Sequence, residues 1–141
     1  GLVLVFRLSP DDYHRYIFID DGIIINNYKI NGFFHTVNPI SYDKFKVFKE
    51  NTRECTYIKT NNFKNIIQIE VGALLVGKIN NKVINGNIKK GLEKGYFMYV
   101  VSTIILVLEN DTIRLDKDIL DNSINGYETC VKCGEKIGKK L

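Results

Sequence analysis

Apolar, β-branched and aromatic residues fall in short runs along this chain, and turn-forming residues separate them. The runs are LVLVFRL, YIFI, GIIIN, YKINGFF, CTYIKT, NIIQIEV, ALLVGKI and YFMYVVSTIILVLE, followed by TIRL and GYETCV. Between them stand SPDD, DDG, NNY, NG, INGN, KKG, EKG, END and CGEK. β-Branched and aromatic side chains suit a pleated, half-buried surface, so the runs predict strands and the Gly/Asn/Asp/Pro clusters predict turns. Many short strands with frequent turns predict an α+β fold that is predominantly β. Its antiparallel sheets would form a sandwich or barrel-like system. Ser41 to Phe48 and Asp116 to Asn122 predict short helices. SPDDYHRY predicts a helical turn with Ser9 as its cap and Pro10 in its first position. No repeat or linker interrupts the chain, so residues 1–141 read as one domain.

The most apolar run, Tyr96 to Leu108, carries Ser102 and Thr103 at its centre. Its thirteen residues fall short of the roughly twenty needed to span a bilayer as a helix. Its β-branched content predicts one buried strand. Two readings of the hydroxyls stay open: both are satisfied inside that strand, or Ser102 is placed there to react.

Composition narrows the function classes. The 141 residues are 45% hydrophobic and 26% charged, as in an ordinary globular domain, with a net charge of +4 and a pI near 8.9. That balance permits attraction to an anionic surface. The lysines are dispersed and no basic run is interleaved with aromatics, which argues against nucleic-acid binding. Three cysteines, Cys55, Cys130 and Cys133, are too few for a disulfide scaffold. Cys130 and Cys133 form a CxxC, but with His14 and His35 as the only histidines no zinc set is completed, and the pair reads as incidental. The chain enters LVLVFRL at once, which suggests part of something longer.

Candidate chemistry gathers in a few places. Asp11, Asp12, His14 and Arg15 lie within five residues. Imidazole titrates near neutrality, so His14 is a candidate acid/base, against the alternative of a hydrogen-bonded histidine on a surface turn. His35, in GFFHTVNP, reads as a partner for a nearby backbone group. Gly72 and Gly77, inside strand-like IEVGALLVGKI, mark a bulge or the close approach of another backbone or ligand.

Taken in order, RLSPDDYHRY, GFFHTVNP, ENTRE, VGALLVGKI, KGLEKGYF with an ST-containing apolar strand, and GEKIG resemble the phosphatidylserine decarboxylases. The resemblance covers essentially the whole chain and corresponds to the C-terminal half or more of a family member. It implies a proenzyme that cuts itself, here between Val101 and Ser102. Ser102 would attack the preceding carbonyl, and ester formation, elimination and hydrolysis would leave a pyruvoyl group, a covalent cofactor. That group would take up the amine of phosphatidylserine and release carbon dioxide, yielding phosphatidylethanolamine. The implied partners are phosphatidylserine in an anionic membrane surface and the missing N-terminal part of the proenzyme. An oligomer is compatible with it. The implied location is peripheral, on the cytoplasmic face of a bacterial membrane. Tyr13, Gly77 and Lys78 become candidates for the substrate pocket, and no metal is implied.

Three positions depart from the family pattern. The YHRxH motif reads YHRYI, so Ile17 stands where the resemblance implies the histidine that drives cleavage, and isoleucine cannot accept a proton. Val101 stands where glycine usually precedes the reactive serine, and a β-branched residue is stiffer there. Lys78 stands where a small serine is usual. The aspartate partner implied by the family lies in a segment this chain does not contain. Ile17 and Val101 motivate an alternative: an uncut pseudoenzyme of the same fold that binds lipid or a partner.

Overall fold

The structure, a computed structural model, describes residues 1–36, 40, 44–73, 78–98 and 101–141. Its strands are β1 (Leu2–Leu8), β2 (Arg15–Ile17), β3 (Gly22–Ile30), β4 (Arg53–Thr60), β5 (Asn65–Val71), β6 (Lys78–Asn81), β7 (Gly86–Ile88), β8 (Glu93–Met98), β9 (Ser102–Leu108), β10 (Ile113–Leu115) and β11 (Gly138–Lys140). Helix α1 (Val47–Glu50) precedes β4 and α2 (Lys117–Ile124) follows β10. A six-stranded sheet runs in the order β1-β9-β5-β4-β3-β7, a three-stranded sheet in the order β2-β8-β6, and β10 pairs with β11. Every pairing is antiparallel. The sheets do not close into a barrel, and the fold is the expected mostly β member of the α+β class.

Alternation along the strands builds the core. Ile58, Ile66, Leu106 and Leu108 face inward from neighbouring strands and pack with Phe18, Ile24 and Ile88. A second cluster joins the two main sheets: Tyr16, Ala73, Ile79 and Phe97, flanked by Leu8, Val101 and Ile104. The opposite face of the large sheet leaves Val3, Val5, Tyr28 and Tyr57 exposed.

The structure corrects several sequence expectations. NNY is no turn, because β3 continues through it with a bulge between Ile24 and Asn26. The extra residue reverses the alternation, so Tyr28 pairs with Cys55 on the outer face and stacks on Tyr57 at 6.0 Å. EKG is part of β8, where a Cβ on Gly95 would lie 2.4 Å from the Asn80 carbonyl oxygen, so this glycine admits a close neighbouring strand. SPDDYHRY forms a tight turn rather than a capped helical one. Asp12 N–H donates to the Ser9 carbonyl at 3.0 Å, and the Asp12 carboxylate accepts the Ser9 N–H at 2.6 Å. GYETCV forms no strand, since side chains rather than a ladder hold it: Arg7 reaches Glu128 at 2.6 Å and Asn122 reaches Thr129 at 3.0 Å. The predicted helix at 116–122 corresponds to α2. Of the one predicted at 41–48, residues 41–43 lie outside the described set and α1 takes up Val47 and Phe48.

One polar contact crosses the apolar layer. Lys94 on β8 donates to Glu70 Oε2 on β5 at 2.5 Å, and both side chains are 0% exposed. Asn81 on β6 donates to the same oxygen at 3.1 Å and accepts from the Tyr16 hydroxyl of β2 at 3.0 Å. Every strand of the small sheet is thereby tied to one carboxylate of the large sheet. Removing one member of a buried pair strands the other charge, at a cost of about 3–5 kcal/mol. Lys94→Ala should therefore lower the urea-unfolding free energy by about that amount. A loss under about 1 kcal/mol would show that the pair does not hold the sheets together.

Candidate functional site

The apolar run from Tyr96 to Leu108 is two strands, not one. β8 ends at Met98 in the small sheet, and Ser102 opens β9 in the large sheet. The Val101–Ser102 bond thus lies where the chain passes from one sheet to the other. Val101 packs on the second cluster. Ser102 is anchored at once, opposite Leu8 of β1.

Among the described residues the two hydroxyls are buried and unpaired, which does not match the reading that both are bonded inside the strand. Ser102 Oγ and Thr103 Oγ1 have no hydrogen-bond partner among the described residues, and both residues are 0% exposed. A buried hydroxyl without a partner costs free energy, and such unpaired groups call for a reason beyond packing.

His14 sits on the turn before β2, and its carbonyl accepts the Phe97 N–H at 3.0 Å, which fastens it to the second cluster. Its Nδ1 lies 2.7 Å from the Asp12 carbonyl oxygen. A carbonyl can only accept, so Nδ1 is the donor, and in the neutral ring the lone pair is on Nε2. Nε2 is itself buried without a partner among the described residues. The cluster that holds Val101 is therefore bordered by an unused hydroxyl at Ser102 and, through Phe97, by an unused imidazole nitrogen at His14.

The remaining candidates are spread more widely. Ile17 ends β2 opposite Glu93. Lys78 opens β6 beside Met98, with its side chain exposed at the rim of the small sheet. Tyr13 points outward from its turn, 61% exposed. Gly77 lies outside the described residues. Cys130 and Cys133 are free and exposed on the irregular C-terminal segment, away from the second cluster. No group of three or more potential metal ligands occurs among the described residues.

Sequence reasoning missed Glu70, Lys94, Asn81 and Tyr16. Burial pushes the Glu70 carboxyl above its usual range, opposed by Lys94 and Asn81. Burial and then the Glu70 charge push the Tyr16 phenol upward as well. The signal was available in NIIQIEV. Gln68 and Glu70 share one parity with Ile66, and that parity faces inward. A charged residue at an inward position needs a buried partner.

Ser102 thus places a hydroxyl, buried and without a partner among the described residues, at the start of β9, where the chain enters the large sheet. The comparisons carry this further. A sequence profile described as phosphatidylserine decarboxylase matches residues 1–139. The chain is 55% identical over 139 residues to phosphatidylserine decarboxylase proenzyme 2 of Clostridium acetobutylicum, covering 99% of this chain and 47% of that protein. It is 49% identical over 143 residues to the phosphatidylserine decarboxylase proenzyme of Clostridium tetani, covering 100% of this chain and 48% of that one. No solved structure matches it. The chain belongs to the phosphatidylserine decarboxylase family, and it spans about half the length of the curated relatives it matches.

Whether the hydroxyls are unpaired can be tested apart from any reaction. Thr103→Val removes one orphan oxygen with little change of shape and leaves Ser102 intact. The urea-unfolding free energy should hold or rise, because a buried unpaired polar group costs about 1–3 kcal/mol. A fall of more than about 1 kcal/mol would mean that the oxygen is bonded.

Proposed function

We propose that this chain is the self-processing portion of a phosphatidylserine decarboxylase. It cuts itself between Val101 and Ser102 and supports conversion of phosphatidylserine to phosphatidylethanolamine. The observation that carries the reading is the buried, unpaired Ser102 hydroxyl at the start of β9. A pyruvoyl group formed from Ser102 fits this position, since β9 is paired on both sides, by β1 and β5, and a new terminus there keeps its place. Once formed, the group supplies a carbonyl that takes up the substrate amine and accepts electrons as carbon dioxide leaves. The chain's own residues supply the rest. His14 Nε2, with its lone pair free, is the group to move a proton near the second cluster. Lys78, exposed beside the end of β8, attracts the anionic headgroup to the junction. Apolar packing around Val101 keeps water out.

Ile17 and Val101 favour the alternative of an uncut lipid- or partner-binding chain. The proenzyme names of the relatives weigh against it. The rest of a relative-length protein is the natural partner for the exposed apolar face carrying Val3, Val5, Tyr28 and Tyr57. In a full-length version, Ser102→Ala should abolish phosphatidylethanolamine formation from phosphatidylserine vesicles. A Ser102→Ala protein that still decarboxylates would refute the assignment.

We also place the membrane contact, on a peripheral protein at the cytoplasmic face, around α1. Phe33 is 66% exposed and Phe34 and Phe45 are also exposed, beside exposed Lys44, Lys46 and Lys49. Aromatic tips with lysines suit the interface of an anionic bilayer. This patch is tied to the junction. Asn51, fully buried, donates to both the His35 and Gly72 carbonyls, at 2.7 and 2.8 Å, and Ala73 next to Gly72 packs in the cluster that holds Val101. No helix among the described residues is long and apolar enough to cross a membrane. Each lysine near an anionic surface is worth about 1 kcal/mol. Phe33→Ser with Lys44→Ala and Lys46→Ala should therefore weaken sedimentation with phosphatidylserine vesicles at least about tenfold. Unchanged binding would remove the patch from the account.

A further inference from the structure

We propose that Glu70 takes the Ser102 proton when the chain cuts itself, filling the role left vacant at Ile17. The inference rests on the reading of Ser102 as the processed residue and adds the base that reading lacks.

Geometry on the sheet motivates it. Glu70 of β5 pairs directly with Ile104 of β9, and Ser102 lies two residues earlier on β9. Alternation puts Glu70, Ile104 and Ser102 on one face, with Glu70 and Ser102 as diagonal neighbours, for which Cα atoms lie about 7–8 Å apart. Both residues are 0% exposed. The two carboxylate oxygens are used unequally. Oε2 accepts from Lys94 and Asn81, whereas Oε1 is buried without a partner among the described residues. A buried donor without an acceptor and a buried acceptor without a donor thus share one face of two adjacent strands. One water, or a turn of the Ser102 side chain, is enough to join them. Of the other buried acceptors without a partner among the described residues, Gln68 Oε1 is a weakly basic amide oxygen and His14 Nε2 belongs to the turn before β2 in the small sheet, whereas Glu70 lies on the strand paired with β9. Lys94 is its counter-charge, Glu54 accepts from Asn27 at 2.8 Å, and Tyr16 donates to Asn81.

The step balances without an outside oxidant. Ser102 Oγ bonds to the Val101 carbonyl carbon as its proton passes to Glu70 Oε1. The Val101–Ser102 C–N bond then breaks, and the proton goes on to the departing nitrogen, leaving an ester and a free amine. Loss of the Ser102 α-proton then expels the Val101 carboxylate. Water hydrolyses the resulting dehydroalanine to pyruvoyl and ammonia. Lys94 and Asn81 hold the carboxylate by one oxygen throughout, which leaves the other to accept the proton.

The test is the rate of self-cleavage of the full-length proenzyme, followed by denaturing gel and intact mass. Glu70→Gln keeps the shape and removes the basicity, and should slow cleavage by about 100-fold or more. Glu70→Asp keeps a carboxylate but shortens it, and should cut faster than Glu70→Gln. A merely structural role gives the reverse order, since glutamine is the better fit to the cavity. Because Glu70→Gln leaves Lys94 without its counter-charge, Glu70→Gln/Lys94→Met, which removes both charges, is run beside it. This double variant should fold with an unchanged circular-dichroism spectrum and remain uncut. Cleavage of the folded double variant at the wild-type rate, or Glu70→Gln outpacing Glu70→Asp, would overturn the role of Glu70 alone. A wild-type proenzyme that never cuts would overturn the underlying reading of Ser102 along with it.

Discussion

The contact between Lys94 and Glu70 is the constraint around which this molecule is arranged. Two charges with no exposed surface are tolerable only when paired and hydrogen-bonded, and here Asn81 and Tyr16 complete the set. A wholly apolar layer could have joined the same two sheets, as well-packed hydrophobic replacements of buried ion pairs often do. An apolar layer slides more easily, because many registers bury similar area. A charge that must meet its partner admits one. The pair therefore fixes how β8 lies over β5, and so where the chain must cross from the small sheet to the large one.

That crossing is where the proposed site lies. Lys94 fixes the strand before the junction and Glu70 lies on the strand beside the one after it. Val101 and Ser102 are held from both sides by structure that a broken peptide bond would not release. The piece beginning at Ser102 would remain as an inner strand between β1 and β5, with β10 and β11 paired within it. The hydroxyls at 102 and 103, unpaired among the described residues, cost stability. They are held in place by the paired strands on either side of β9.

Much of this was legible in the sequence. Apolar runs located most strands, because period-two burial leaves a direct mark on residue choice. Motif order carried the family and singled out Ser102 as the candidate. What stayed hidden involved contacts between distant segments. The run from Tyr96 to Leu108 read as one strand because both halves are buried, and burial does not reveal which sheet buries them. The bulge at Ile25 was invisible, since asparagines there signal a turn as readily as a strand that shifts its alternation. Glu70 and Lys94 were not singled out, because only the folded register brings them together. His14 was visible as a candidate, but its tautomer depends on the Asp12 carbonyl, which only the folded turn supplies.

The central claim is that this junction is built to cut itself, and the intact mass of the purified wild-type full-length protein under denaturing conditions tests it most directly. Two pieces are predicted, the smaller beginning at position 102 with a pyruvoyl terminus in place of serine. A single chain of full mass would contradict the account and leave a lipid- or partner-binding protein on the same fold.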